Sequence, residues 1–180
     1  MSSLRQHYKE KVIPALEKKF NYQNELQVPN LKKVVVNVGV GQGLKDADYL
    51  TNVENTLKRI TGQKPVRNLA KKSIAAFKIR EGMIVGVSVT LRGEKMWSFI
   101  EKLVKITLPR VRDFRGVDAH GFDSHGNYSL GFREYLAFPE IRPDDVEKVH
   151  GLEIAINTSA HNKEEGQELL TLLGFPFKKD

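Results

Sequence analysis

The sequence of 180 residues predicts an α+β fold, with a single, mostly antiparallel sheet and helices packed on one of its faces. Segments with apolar residues at helical spacing alternate with short segments rich in β-branched residues, which gives the order βα-ββ-α-ββ-α after a first helix. In each predicted strand, apolar side chains alternate with small or polar ones, as in a sheet that is covered on one side only. We predict one domain over residues 1–180, with protruding basic loops at about 70–82 and 110–127.

The first half of the chain carries clear helix and strand signals. A helix is predicted from about Leu4 to Phe20, with a kink at Pro14. The run KKVVVNVGV over Lys32–Val40 predicts a strand, because β-branched residues favour strands. A second helix is predicted from about Asp46 to Ile60, and Gly62 is expected to end it.

The second half is predicted in the same way. Strands are expected at Val66–Asn68, Met83–Leu91, Tyr128–Ala137 and Leu152–Thr158. Apolar spacing predicts an amphipathic helix over Glu94–Leu108, ended by Pro109, and a last helix over Lys163–Leu173, with Asn162 as a cap.

The alternation gives the predicted sheet two different faces. Valine, leucine, isoleucine and aromatic residues share the face that must lie under the helices. The opposite face carries small or polar residues, among them Asn37, Ser88, Thr90 and Ser129. Such a face can simply be solvated. Small side chains, however, make a flat surface on which a rigid polyanion backbone can lie, and we favour this interpretation.

The charge is unevenly distributed. The net charge is +7, and it is +4 over residues 1–59, +9 over 60–115 and −6 over 116–180. A basic block of this size is typical of a protein with an anionic partner, most often a nucleic acid. The chain has no cysteine and no apolar stretch long enough to span a membrane, and its N-terminus is too charged for a signal peptide. The sequence therefore predicts a soluble cytosolic protein.

Two basic segments interleave cations with an aromatic residue. The segment AKKSIAAFKIREG (70–82) is too short and too poorly capped for a stable helix, and we favour a hairpin-like loop. Cations can meet phosphates while an exposed ring stacks on a base, which suits RNA. The second segment, PRVRDFRG (109–116), supplies arginines that bind phosphate in a bidentate manner.

The sequence gives little support to an enzyme. The glycines of GVGQG (39–43) follow a strand, but their spacing is not that of a dinucleotide or phosphate loop. The stretch DAHGFDSH (118–125) collects two carboxylates and two imidazoles, which leaves a metal site open as an alternative. We predict no catalytic residue, no metal and no cofactor.

Several long motifs carry a family resemblance over nearly the whole chain. They are KKVVVNVGVG (32–41), ITGQKPV (60–66), AKKSIAAFKIREGM (70–83), VTLRGEKMW (89–97), LPRVRDFRG (108–116), GNYSLGFRE (126–134), FPEI (138–141) and GFPF (174–177). In these motifs the chain resembles the bacterial large-subunit ribosomal proteins of family five, which bind 5S rRNA. The resemblance implies a non-enzymatic protein in the cytoplasmic ribosome, located at the central protuberance. Its implied partners are 5S rRNA, 23S rRNA, peptidyl-site tRNA, small-subunit ribosomal protein thirteen and neighbouring 5S-associated ribosomal proteins, and no membrane is implied.

The resemblance also implies site residues. The strongest candidates for 5S rRNA binding are Asn37, Gln63 and Thr90, and the weaker ones are Lys33, Lys64, Arg67, Arg92 and Ser129. The tRNA-contacting loop is carried onto Lys71, Lys72, Ser73, Phe77, Lys78 and Arg80. The intersubunit bridge is placed loosely, around Arg110, Arg112 and Arg115.

Two departures from the family pattern stand out. Ser124 and His125 replace a more common Gly-Arg before GNYSLG, which removes one expected arginine contact, and MIVG (83–86) replaces MPIG. Two other classes of function stay open as alternatives. One is a metal- or nucleotide-dependent enzyme acting on RNA through the histidine-containing loop, and the other is a non-specific DNA-binding protein.

Overall fold

A computed structural model describes residues 3–41, 46–142 and 148–178. In these ranges the chain is α+β and forms a five-stranded antiparallel sheet. The predicted fold class is confirmed. The strands are β1 (Leu31–Gly39), β2 (Val66–Leu69), β3 (Ile84–Leu91), β4 (Tyr128–Phe132) and β5 (Leu152–Thr158), and they lie in the order β2-β3-β1-β5-β4.

Four longer helical regions occur in the described part of the chain. The first runs through Ser3–His7, a π turn at Tyr8–Val12, and Ile13–Phe20. The second is Ala47–Thr61. The third runs through Gly93–Lys102, a π turn at Leu103–Thr107, and Leu108–Arg110. The fourth and last is Lys163–Leu172. No helix in the described ranges is both long and apolar enough to cross a membrane.

Two prolines lie within helical regions, and each closely follows a π turn. Pro14 is the second residue of Ile13–Phe20, and Pro109 is the second residue of Leu108–Arg110. A proline inside a helix lacks a donor, and its ring clashes with the carbonyl four residues before it. A π turn, with its bond to the fifth residue back, widens the helix at that carbonyl. The prediction that Pro109 ends the third helix was wrong, because the helix continues to Arg110.

The predicted strand over Tyr128–Ala137 is too long. β4 ends at Phe132, and Tyr135–Ala137 forms a 3-10 turn. Tyr135 and Phe138 are both buried, with Phe138 packed on Phe132 at a ring-centroid distance of 5.6 Å. Side chains three residues apart reach the same side of a turn but opposite sides of a strand, so this packing requires the turn.

The chain divides into two compact units. Unit 1 comprises Met1–Val34, Leu91–Leu130 and Ala155–Asp180. Within it the first and third helices meet through the Tyr8 and Trp97 rings, whose centroids are 5.3 Å apart. Its core also contains Val12, Leu16, Ile100, Leu103, Leu169 and Leu170.

Unit 2 comprises Val35–Thr90 and Gly131–Ile154. Its helix is capped by Asp46, whose carboxylate accepts hydrogen bonds from the N–H groups of Asp48 and Tyr49, both at 3.1 Å. Gly62 ends that helix with a φ of +64°, as predicted. The core of this unit contains Val36, Val38, Val53, Leu57, Ile60, Val87, Val89, Tyr135, Phe138 and Ile154. The assignment of residues 1–180 to one domain stays a prediction.

Candidate nucleic-acid interface

Two carboxamides of unit 2 lean over a glycine. Asn68 of β2 pairs with Gly86 of β3 in the antiparallel register. A Cβ atom added at Gly86 would lie 3.7 Å from Asn37 Oδ1 and 3.7 Å from Asn68 Nδ2, and 3.2 Å from the Val38 carbonyl oxygen. Both amides therefore lie within contact distance of the same point above Gly86, and the close approach to the Val38 carbonyl oxygen there favours glycine. We call Asn37, Gly86, Asn68 and Ser88 the amide surface.

Ser88 holds the Asn68 carboxamide in place. Its Oγ lies 3.1 Å from Asn68 Nδ2 and 3.2 Å from Asn68 Oδ1. A hydroxyl can donate to one of these atoms and accept from the other. Both side chains are partly buried, so their polar atoms need partners and the pair restrains the amide.

Gln63 lies just after the second helix, next to the end of β3. Its Nε2 donates to the Thr90 carbonyl oxygen at 3.1 Å, and its backbone N–H donates to Thr61 Oγ1 at 3.3 Å. Thr61 Oγ1 in turn donates to the Leu57 carbonyl oxygen at 2.7 Å. The two predicted residues Gln63 and Thr90 are thus brought together, and the exposed Thr90 side chain stays accessible.

Arg67 is engaged within the protein. Its Nη2 donates to Glu54 Oε2 at 3.2 Å, and its Nε donates to Glu54 Oε1. The hydrogen bonds that Arg67 donates to Glu54, and the charge of that carboxylate, raise the pKa of Arg67 above its usual range. Arg67 pairs with the buried Val87 in the register, whereas Asn68 pairs with Gly86, so Arg67 and Asn68 point to opposite sides of β2.

The remaining weaker candidates are placed as follows. Lys64 is exposed in unit 2, between Gly62 and β2. In unit 1, Lys33 is half-exposed on β1, Arg92 is exposed directly before the third helix, and Ser129 is exposed on β4. Among the described residues no ion pair is found for Lys64.

The segment 70–82 forms a loop between two antiparallel strands, not a helix. The N–H groups of Ile74 and Ile79 each donate to the carbonyl oxygen of the other, at 2.9 and 3.1 Å. At the base, the Ala70 N–H donates to the Met83 carbonyl oxygen at 2.8 Å, and the Gly82 N–H donates to the Ala70 carbonyl oxygen at 3.0 Å. These bonds stiffen a loop that would otherwise have few restraints.

The tip of this loop presents a ring and cations to solvent. Ala75–Phe77 is a 3-10 turn, and Lys78 ends it with a φ of +54°. The Phe77 side chain is 69% exposed. The predicted residues Lys71, Lys72, Ser73, Lys78 and Arg80 are exposed as well, and the Ser73 hydroxyl accepts a hydrogen bond from the Glu81 N–H at 2.9 Å. Burial does not explain an aromatic side chain in this position.

The three arginines predicted for a bridge are exposed in unit 1. Arg110 ends the third helix, Arg112 follows it, and Arg115 precedes Gly116. Gly116 has a φ of +97°, and a Cβ there would lie 3.0 Å from the Pro176 carbonyl oxygen, so the chain turns tightly against 176–178 at this point.

The histidine-containing loop of unit 1 is organised by its aspartates. The Asp123 carboxylate accepts from the N–H groups of His125 and Asn127 and from Asn127 Nδ2, at 2.8 to 2.9 Å. Burial would raise the pKa of Asp123, but these hydrogen bonds outweigh burial and lower it. Asn127 Oδ1 accepts from the Thr158 N–H at 3.1 Å, which ties the loop to β5. The Asp123 carboxylate therefore has a structural role, since its contacts hold the turn within the stretch 118–125 together.

The described ranges contain no group of three or more histidine, aspartate or glutamate side chains that could hold a metal ion. The segment GVGQG (39–43), which was considered as a phosphate loop, lies partly outside the described residues, since Gly43 is not among them.

Sequence reasoning placed Ser88 on the polar face of the sheet, but it did not single out Asn68 or Gly86 as candidate site residues. Residue types alone could have suggested Asn68, because an amide in a strand is unfavourable unless it has a partner. Its role depends on the register that places Asn68 opposite Gly86, and a strand of four residues carries too little pattern to fix a register.

Comparison with known proteins gives consistent matches. The family description "Ribosomal protein L5" matches residues 24–80, and the description of the C-terminus of the same ribosomal family matches residues 84–177. Relatives named "Large ribosomal subunit protein uL5" are 55% identical in Halothermothrix orenii and 54% identical in Desulfatibacillum aliphaticivorans, each over 179 residues that cover 99% of this chain and 100% of the relative. A relative of the same name in Rubrobacter xylanophilus is 54% identical over 178 residues, 99% of each chain. The resemblance is thereby confirmed, and the chain belongs to the ribosomal protein L5 family, a structural and non-enzymatic family of ribosomal proteins.

Proposed function

We propose that this protein is a structural constituent of the large ribosomal subunit and that it binds 5S rRNA through unit 2. The observation that carries the proposal is the amide surface, together with the neighbouring Gln63 and Thr90. The names of the relatives support the ribosomal part, since each is a large-subunit protein. The nature of the side chains supports the RNA-binding part.

Amides and hydroxyls suit the shallow minor groove of an RNA helix. That groove displays 2′-hydroxyls, which both donate and accept hydrogen bonds. A carboxamide also offers donors and an acceptor, so Asn37 and Gln63 can satisfy a 2′-hydroxyl. Because small side chains surround them, a rigid A-form backbone can approach without steric conflict.

Cations supply affinity without sequence information. Lys64 is a cation of unit 2, and Lys33 and Arg92 are cations of unit 1, in which the Ser129 hydroxyl is also exposed. Phosphate contacts from such residues position an RNA, whereas contacts to sugars and bases discriminate between RNAs. The same electrostatics would support contact with 23S rRNA.

The loop 70–82 is proposed to contact peptidyl-site tRNA. Support comes from the exposed Phe77 ring and from Lys71, Lys72, Lys78 and Arg80 around it. Cations can neutralise phosphates while the ring stacks on a base or packs on a ribose. The exposed Arg110, Arg112 and Arg115 are proposed to take part in an intersubunit bridge with small-subunit ribosomal protein thirteen.

Binding to 5S rRNA tests the main proposal. It is measured by filter binding across a salt series, with competitor tRNA and with EDTA present. We expect tight binding that resists tRNA and is unchanged by EDTA. Asn37→Ala should weaken binding by about 1–3 kcal/mol, because an RNA group is left unpaired, and should leave the salt slope unchanged. Asn55→Ala, on the exposed side of the second helix, is the matched control.

The alternatives predict different results in the same assay. A metal-dependent enzyme acting on RNA would lose binding or turnover in EDTA. A non-specific DNA-binding protein would bind duplex DNA as tightly as 5S rRNA. If tRNA competed equally with 5S rRNA, the amide surface would not recognise 5S rRNA and the proposal would fail.

A further inference from the structure

A second amide of unit 2 has the position and the restraint of a recognition group. Asn68 Nδ2 and Asn37 Oδ1 lie at the same distance, 3.7 Å, from the point above Gly86. Asn68 is partly buried, so fixing its side chain costs less side-chain entropy on binding than fixing an exposed one would. The two amides approach this point from opposite neighbours of β3.

The Ser88 hydroxyl determines how this amide is presented. It contacts both polar atoms of Asn68, at 3.1 and 3.2 Å. A carboxamide has two N–H donors and two acceptor sites on its oxygen, and one hydroxyl cannot satisfy all of them. Ser88 leaves part of this hydrogen-bonding capacity unused, and Gly86 supplies no side chain to meet it.

Ordinary sheet stability does not explain this arrangement. Asparagine and glycine are both depleted in strands, and here they face each other in the register at the edge strand β2. A pair of β-branched residues would stabilise the strand pair more. A Cβ at Gly86 would also approach the Val38 carbonyl oxygen to 3.2 Å, so the buried glycine permits close packing at this point.

We infer that Asn68 is a further 5S rRNA-recognising residue that hydrogen-bonds a ribose 2′-hydroxyl beside the one contacted by Asn37, and that Ser88 is the positioning residue for its amide. This inference rests on the proposed function of unit 2. The protein would then recognise two neighbouring riboses, one through Asn37 and one through Asn68. A methyl group at Gly86 would lie in ordinary contact with both amides, and its tight contact would be with the Val38 carbonyl oxygen, at 3.2 Å.

The test is a double-mutant cycle across the interface. Wild type and Asn68→Ala are each titrated with 5S rRNA and with 5S rRNA that carries 2′-deoxynucleotides at the positions the protein protects from hydroxyl radicals. Asn68→Ala should weaken binding to all-ribose RNA by about tenfold, the effect of one hydrogen bond whose partner is left unpaired. On the deoxy RNA, wild type and Asn68→Ala should differ by less than about twofold, because the partner hydroxyl is gone.

Ser88 is tested by rescue. Ser88→Ala should lose part of the affinity for all-ribose RNA, Ser88→Thr should restore it by returning a hydroxyl, and Ser88→Ala should have no further effect in Asn68→Ala. Thermal unfolding of each variant checks the fold. Should Asn68→Ala be unfolded, Asn68→Leu keeps a similar shape, loses the amide and adds no charge, and it should show the same RNA dependence.

The outcomes separate this inference from the function on which it rests. If Asn37→Ala weakens 5S rRNA binding but Asn68→Ala does not, the inference fails and the proposed function stands. The inference fails too if Asn68→Ala loses the same factor on both RNAs, since the lost contact is then not with a 2′-hydroxyl. If wild type shows no preference for 5S rRNA, the proposed function itself fails.

Discussion

The guanidinium of Arg67 and the carboxylate of Glu54 form a two-pronged ion pair, with Nη2 3.2 Å from Oε2 and a second bond from Nε to Oε1. Bidentate pairs of this kind occupy the same fork that an arginine would offer to a phosphate. Arg67 therefore differs from Lys64, which lies three residues before it in sequence and has no ion-pair partner in the described ranges.

This difference predicts unequal effects on 5S rRNA binding. Lys64→Ala should make the logarithmic salt slope shallower by about 0.7–0.9, since one phosphate contact is lost. Arg67→Ala should change the slope by much less, because its guanidinium is engaged by Glu54. The measurement is the binding constant of each variant from about 50 to 200 mM salt. Equal slope changes would mean that Arg67 leaves Glu54 when RNA binds.

We expect the lysines of the loop 70–82 to contribute to tRNA binding but not to 5S rRNA binding. Lys71→Ala combined with Lys72→Ala should leave 5S rRNA binding intact and weaken tRNA binding by reconstituted ribosomes. Both lysines are exposed, and they lie outside the amide surface. Lys9→Ala with Lys11→Ala removes the same charge from exposed positions of the first helix and serves as the control. A loss of 5S rRNA binding in the loop variant alone would contradict this assignment.

We expect the Phe77 side chain to contact tRNA and to contribute little to the stability of the fold. Because its side chain is 69% exposed, Phe77→Ala should leave the unfolding temperature nearly unchanged. If the ring stacks on RNA, the substitution should weaken tRNA binding by about 1–3 kcal/mol, and Phe77→Trp should preserve it. Unfolding of the protein is followed by circular dichroism, and tRNA binding by reconstituted ribosomes is measured by filter assay. A folded Phe77→Ala variant with normal tRNA binding would exclude stacking.

Glu101 links stability to acid pH within unit 1. Hydrogen bonds from Lys105 and then Ser3 lower the pKa of Glu101 to about 2, against the opposing effect of burial. The lowered pKa stabilises the fold above the unfolded value near 4.5, and this stabilisation is lost as the pH falls towards 2. Glu101→Gln should therefore lower the unfolding temperature at about pH 6, and the difference from wild type should shrink between pH 4.5 and 2. A difference that is constant with pH would show that the carboxylate charge plays no part.

The fold could be predicted largely because its signals are local. The β-branched run of β1 and the two ends of the second helix depend on neighbours in sequence, and all three were predicted within one or two residues, although the cap formed by Asp46 was not. The end of β4 was not, because Tyr135 turns inward to meet His150, which is fifteen residues away in sequence. The π turns before Pro14 and Pro109 have no pattern of their own and arise where a proline meets a continuing apolar stripe.

The residues of the candidate site likewise fall into two groups, those that local signals predict and those that depend on the tertiary structure. Asn37 and Thr90 could be singled out from alternation and from the family motifs, and the exposed loop followed from its composition. The pairing of Arg67 with Glu54 and of Asn68 with Gly86 depends on the tertiary register, which no local signal carries. A site built from side chains on three strands is visible in sequence only as separate residues.

His150 gives unit 2 a pH response of its own. The side chain is 5% exposed and packs against Tyr135 in a tilted arrangement with ring centroids 4.3 Å apart, and its Nδ1 lies 3.1 Å from the Gly151 carbonyl oxygen. Burial lowers the pKa of His150 below 6.5, and the hydrogen bond to Gly151 opposes that effect only in part. The folded protein therefore keeps this imidazole neutral at pH values where the unfolded chain has protonated it.

The sign of the effect follows from proton uptake. Below pH 6.5 the unfolded state binds the proton first, so the free energy of unfolding falls as the pH decreases, by up to about 1.4 kcal/mol per pH unit for one proton. His150→Phe keeps an aromatic ring against Tyr135 but does not titrate. Urea unfolding at about pH 7.5, 6.5 and 5.5 should show a steeper loss for wild type than for His150→Phe. Parallel losses would mean that the imidazole is protonated equally in both states and that its burial does not control its charge.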